Sequence, residues 1–259
     1  MNRVLLVART EVMEQLRQPY MIVILALNYV LWGSLFVFGL MALSSVQDNP
    51  QALVLLEQQA TGLGLCSGET ALIAMTRLMT STFGAVFFTT IPLFVAIMSG
   101  YSVLHDRAVG ALPFLMLAPL SRYQLVFGKV LGALAIPFLL HLVFVGAISA
   151  TALQFEVMDP QAYRFGGSAA WWVAYLLGAP SAAFLIGSLG VVISGLSSDV
   201  RTSMQYTSFF IGILSLGFGF ALFDGIRFGV GAQLAFVAAC LGMALLVLLA
   251  GSRIISRDI

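Results

Sequence analysis

Residues 21–43 read MIVILALNYVLWGSLFVFGLMAL, twenty-three positions without one charged side chain. A helix needs about 20 apolar residues to cross a bilayer, and this run supplies them. A charged stretch of twenty residues precedes it, and the apolar part of a secretory signal is only about 7–15 residues long. The run therefore predicts a retained membrane span.

The rest of the chain repeats the pattern. Further apolar runs cover about 78–104, 125–150, 170–196, 205–223 and 230–251. The fifth run is the shortest and richest in glycine, with Gly212, Gly217 and Gly219. The whole 259-residue chain is 60% apolar and 9% charged, with a mean hydropathy of +1.02. Soluble domains are about 25% charged, and disordered chains are richer still in charge. The expected fold class is therefore all-α, a polytopic membrane protein forming one transmembrane domain of six spans over 1–259. At about 20 residues per span, no room is left for a soluble catalytic domain. The net charge of +1 gives no general attraction to nucleic acid. Cys66 in a predicted outer loop and Cys240 in a predicted span suggest neither a disulfide nor a metal site.

Before the first span, residues 2–18 have helical periodicity. Leu5, Ala8, Val12 and Leu16 fall on one stripe, with Glu11, Glu14 and Arg17 opposite. Pro19 closes the segment. A helix of this kind lies in the membrane interface.

Lys and Arg set the orientation. With six spans and the N-terminus inside, Arg3, Arg9, Arg17, Arg107, Arg122, Lys129, Arg201, Arg253 and Arg257 are cytoplasmic. Arg77, Arg164 and Arg227 are then outside, nine against three. Both termini are expected in the cytoplasm. The longest outer loop, 44–77, contains Asn49-Pro50, which reads as an N-cap and first-turn proline for a short helix through Glu57.

Searching for chemistry mostly excludes it. A rhomboid-type Gly-x-Ser-Gly with a histidine on another span is absent, since Val192 precedes Ser194-Gly195. His-Glu-x-x-His and Gly-x-Ser-x-Gly are absent as well. No catalytic residue and no metal ligand set is expected. Ion-coupled carriers keep ionisable groups inside the bilayer, and here only His141 is expected at depth, as a hydrogen-bond partner between helices. Gly128-Lys129 lacks the glycine-rich loop of a nucleotide site. Any energy must then come from a partner.

Residues 105–122 read HDRAVGALPFLMLAPLSR, a charged start followed by apolar residues too few to cross. Asp106 and Arg107 are followed by Gly110-Ala111-Leu112, Leu115, Leu117, Pro119, Ser121-Arg122 and Gly128-Lys129. This order resembles the loop between spans two and three of type-2 ABC transporter permeases. Asp106 stands where Glu is usual, Ala111 where Thr is usual, and Pro113 where a helix former is common.

The resemblance implies an N-terminal elbow helix over 1–20, six spans, and a cytoplasmic coupling helix over about 105–122. Asp106, Arg107, Gly110, Leu112, Leu115, Pro119 and Arg122 would couple to a separate ATPase. Glu11, Glu14 and Arg17 would make secondary contacts with it, or simply form a solvated face. Two ATPase copies would bind ATP and Mg, with no cofactor in this chain. A second permease copy or close relative would complete the path in a bacterial or archaeal inner membrane.

Spans two and five would face that partner. Their small hydroxyl residues, among them Thr76, Thr80, Thr89 and Ser215, line a mildly polar path or pack helices tightly. Gly128-x-x-x-Gly132 reads first as a packing seam. The expected function is an exporter permease. The alternative is a membrane scaffold or assembly factor that passes ATPase strokes to a periplasmic partner, with the 44–77 loop as its working surface.

Overall fold

The computed structural model describes residues 3–17, 19–47, 49–62, 71–111, 115, 117, 119–154, 169–223 and 230–254. Every regular element among them is helical. In chain order these are α1 (Arg3–Arg17), α2 (Pro19–Gln47), α3 (Pro50–Gly62), α4 (Ala71–Ala108) and α5 (Arg122–Gln154). Then follow α6 (Ala169–Val173), a π-helical turn (Ala174–Gly178), α7 (Ala179–Leu196), α8 (Val200–Phe223) and α9 (Val230–Ile254).

Five stretches among the described residues are long and apolar enough to cross a membrane: Pro19–Val46, Thr82–Ala108, Arg122–Ile148, Ala174–Leu196 and Val230–Arg253. The chain is thus an all-helical, multi-pass membrane protein. The remaining expected span, 205–223, falls on α8. Side chains beyond Ile213 in that helix lie outside the described residues.

The helices outrun their apolar runs because local capping, not hydropathy, ends them. Asn49 Oδ1 accepts the amides of Gln51 and Ala52 at 3.1 and 3.4 Å, and Pro50 opens α3, as expected from Asn49-Pro50. At the start of α5, Ser121 Oγ accepts the Gln124 amide at 3.2 Å, and Gln124 Oε1 accepts the Ser121 amide at 3.0 Å. This is a reciprocal capping box. Asp199 caps α8 through the Thr202 amide and hydroxyl, both at 2.8 Å. Those bonds favour the charged carboxylate and hold it below its ordinary range.

Helices α4 and α7 form the centre. Two-thirds of the residues in their spans are buried, 67% in each, against 22% for α2 and α9. Lipid tails offer no hydrophobic drive between helices, so close packing must hold them together. Phe36, Phe87, Phe88, Tyr175 and Cys240 share one buried cluster. Gly190 lets Ser99 and the α4 backbone approach α7: a Cβ there would lie 3.2 Å from the Gly100 amide nitrogen.

His141 is buried where α2, α5 and the π turn meet. In the π turn the Ala179 amide bonds to the Ala174 carbonyl. The next bond in that register would reach the Tyr175 carbonyl from residue 180, a proline without an N–H. His141 Nε2 donates to that carbonyl at 3.0 Å instead. Its Nδ1 then accepts the Tyr29 hydroxyl at 3.1 Å. The expected inter-helix role of His141 is what the structure has, and Pro180 explains why a histidine is needed there.

Candidate functional site

Three segments far apart in sequence meet at one end of the bundle: α1, the 105–122 stretch, and the turn between α7 and α8. Their junction begins with two glycines. A Cβ at Gly128 would lie 2.7 Å from Val7 Cβ, and one at Gly132 would lie 2.4 Å from Glu11 Cβ and 2.9 Å from the Ala8 carbonyl. Helix α1 therefore rests backbone-close on α5, and the Gly128-x-x-x-Gly132 seam is occupied by α1.

This seam overturns one expectation. Glu11 is not on an outward polar face but is 7% exposed against α5. The face of α1 that meets the bundle runs through Val7 and Glu11, while Leu5 and Leu16 point outward at 57% and 52% exposure. The glycine groove fixes which side of α1 faces in, and a cation waits beneath it. Lys129 Nζ lies 3.0 Å from Glu11 Oε2 and 2.7 Å from Asp106 Oδ2. It also donates to Ser102 Oγ at 2.9 Å. All three charged residues are buried.

Glu11 lies in the N-terminal helix and Asp106 at the end of its span, but protein rather than solvent surrounds the triad. Lys129 stands seven residues inside α5 and its charge is enclosed by protein. Asp106, expected on the docking surface, is 3% exposed and turned toward Lys129. Periodicity on single helices could not pair residues 11, 106 and 129.

Arg107 points the other way. It donates to the Gly195 carbonyl at 2.9 Å and the Ser197 carbonyl at 3.2 Å. These carbonyls end α7, where a cation is favoured by the helix dipole. Gly110 follows with φ +69°. The Ala111 amide bonds to the Asp106 carbonyl at 2.8 Å and the Gly110 amide to the Arg107 carbonyl at 3.2 Å. That pair of bonds is the Schellman arrangement with glycine in its left-handed position. Gly110 thus stops α4 and turns the chain. Gly110→Ala is expected to lower stability by about 1–2 kcal/mol, and Gly110→Asn by less. Thermal unfolding in detergent micelles reads the difference.

The other expected coupling residues are placed unequally. Leu112 lies outside the described residues. The Leu115 amide bonds to the Ala111 carbonyl at 3.0 Å, and Leu117 is 82% exposed. The Pro119 carbonyl accepts from the Arg3 guanidinium, so α1 also touches the far end of the stretch. Arg122 is exposed at the first position of α5.

Glu14 and Arg17 stand one and two turns on from Glu11, Glu14 half-buried and Arg17 exposed. Burial first, and Glu11 second, push the Glu14 carboxyl above its ordinary value of 4.5, against the opposing pull of Lys129. A raised carboxyl favours the folded state while protonated and loses that advantage as pH rises through the raised value. Glu14→Gln should therefore melt above the wild type near pH 7.5, and the gap should close by about pH 4. Parallel melting curves at the two pH values measure it. Glu14 also borders a cavity of about 310 Å³ between α1, α4 and α8, lined by Glu11, Tyr101, His105, Met98 and Met204 among others.

Of the expected path residues, Thr89 is the one whose side chain is described. Thr89 bonds its hydroxyl to its own helix, at Ala85 and Val86 carbonyls 3.0 and 3.1 Å away. The side chains of Thr76, Thr80 and Ser215 lie outside the described residues, as does Cys66. On α8, Ser203 donates to the Gly100 carbonyl at 2.7 Å and Thr207 is buried beside it, so these hydroxyls pack α8 onto α4. Among the described residues no group of His, Cys, Asp and Glu could hold a metal ion.

No curated protein matches the chain. A family model does, that of the ABC-2 family transporter protein, over residues 5–235. The match takes in α1, the glycine seam, the Asp106–Lys129 pair and the stretch between them. It agrees with the multi-pass helical fold and with the 105–129 pattern. The chain belongs to the ABC-2 transporter family, as a membrane permease component.

Proposed function

We propose that this chain is the permease subunit of an ATP-driven exporter. The observation that carries the reading is the family match together with the 105–122 stretch, rooted at three points at one end of the bundle. In this reading α1 is the elbow helix and 105–122 holds the coupling helix. Helix α8 completes six spans, and that end of the bundle faces the cytoplasm of a bacterial or archaeal inner membrane. The positive charges gathered there support the orientation.

Two copies of a separate ATPase dock beneath, bind ATP and Mg, and close on the bound ATP. The closing motion pushes the coupling helix and alternates access between two permease copies. Leu112, Leu115, Pro119 and Arg122 form the docking face, with apolar knobs for the partner's groove and a charge to set register. The outward face of α8, with Tyr206, Phe209 and Ile213 exposed, meets the second copy.

The test is co-expression with the ATPase encoded by the neighbouring gene. Wild-type permease is expected to co-purify with it and Leu115→Asp is not. Equal recovery of the ATPase with both would remove the docking role. The scaffold alternative has one supporting observation: on the outer side of the sequence-read topology, α3 leaves Val54 and Leu55 exposed at 54% and 60%. Loss of a periplasmic partner on deleting 50–62, with transport retained, would favour it.

A further inference from the structure

We infer that Asp106 and Arg107 are positioning residues, which splice the root of the 105–122 stretch into the bundle and do not themselves face the ATPase. The inference rests on the permease reading and deepens it. Asp106 is enclosed, and its carboxylate reaches Lys129 on α5, which in turn holds Glu11 on α1. Neighbouring Arg107 turns to the end of α7, at the Gly195 and Ser197 carbonyls. Two consecutive side chains thus send the last turn of α4 in two directions. One leads to α1 and α5, the other to the α7–α8 turn.

The Schellman turn at Gly110 then begins the stretch at a fixed angle from this anchor. A push on the stretch meets α1, α5 and the end of α7 together through charged hydrogen bonds, which are shorter and stronger than neutral ones. Asp106 is buried and has no surface left for a partner; Arg107 is exposed, but its guanidinium is held by the two carbonyls that end α7. The chemistry also separates the two roles. Asp106 makes an ion pair in an enclosed site, while Arg107 caps a helix with neutral carbonyls.

The experiment is hydrogen–deuterium exchange on the full-length permease in lipid nanodiscs, with and without the ATPase of the neighbouring gene. Asp106→Asn keeps the Glu11–Lys129 pair, so the chain should still fold. It is expected to raise amide exchange by about tenfold in 105–111 and in Arg3–Arg17 together, with Ala179–Leu196 unchanged. Asp106→Glu should restore the wild-type pattern. Arg107→Met should raise exchange in 105–111 and 195–203, and leave α1 alone. In the complex, both variants should bind as much ATPase as wild type but lose the permease-dependent stimulation of ATP turnover.

Reduced ATPase binding with unchanged exchange would make the two residues docking groups and overturn the inference. A rise in exchange over the whole bundle would overturn it as well. Failure of wild-type permease to bind the ATPase would instead count against the exporter reading, and the exchange pattern alone would then decide the anchoring role.

Discussion

Replacing Lys129 with methionine is expected to cost the protein about 3–5 kcal/mol. The methionine fills the space but leaves Glu11 and Asp106 as two enclosed carboxylates without their shared cation, which sits 3.0 and 2.7 Å from them in the native chain. Ser102 Oγ also loses its partner at 2.9 Å. Attraction across such short distances is large only where water is excluded, and all three residues are buried. The same burial makes the orphaned charges costly. The triple variant Glu11→Gln, Asp106→Asn, Lys129→Met removes every charge at once and should recover most of the loss. Denaturant titration in mixed micelles measures both. A small effect for Lys129→Met, equal to that of the triple variant, would mean that the site is wet and the ion pair unimportant.

Gly132→Leu is expected to lift α1 off α5, with a loss of about 1–3 kcal/mol from overpacking. Even the first added carbon would sit 2.4 Å from Glu11 Cβ and 2.9 Å from the Ala8 carbonyl. Neither atom is the free end of a flexible side chain, so the helix itself must shift. Moving α1 draws Glu11 away from Lys129, so the steric and electrostatic losses come together. Limited proteolysis should then cut within Arg3–Arg17 far faster than in the wild type. Gly146→Leu, on the same helix but with nothing within 4 Å of its would-be Cβ, should do neither. Equal protease resistance in both variants would sink the idea that the seam is tightly occupied.

Much of this protein is legible in single helices. The six apolar runs, the Asn49-Pro50 start of α3 and the small-residue seam at Gly128 and Gly132 all depend on neighbours in sequence. So does the likeness in 105–129 that pointed to the ABC-2 family. The Ser121–Gln124 capping box is equally legible, as Ser-x-x-Gln.

What sequence reasoning misplaced were side chains whose partners come from elsewhere. Glu11 looked outward because it lies opposite the leucine stripe of α1. Asp106 looked like a docking charge because it opens a charged loop. Both point inward, toward Lys129.

By itself, then, the sequence determined that the chain lives in a membrane and is helical. It also showed which stretch resembles a coupling loop, because hydropathy and caps act within a few residues. Only the tertiary structure decided which charges are exposed and which are spent holding the bundle together. A charge's role is set by the dielectric and partners around it. Here those are fixed by two glycines that let α1 come close enough to bury Glu11 against a lysine 118 positions away.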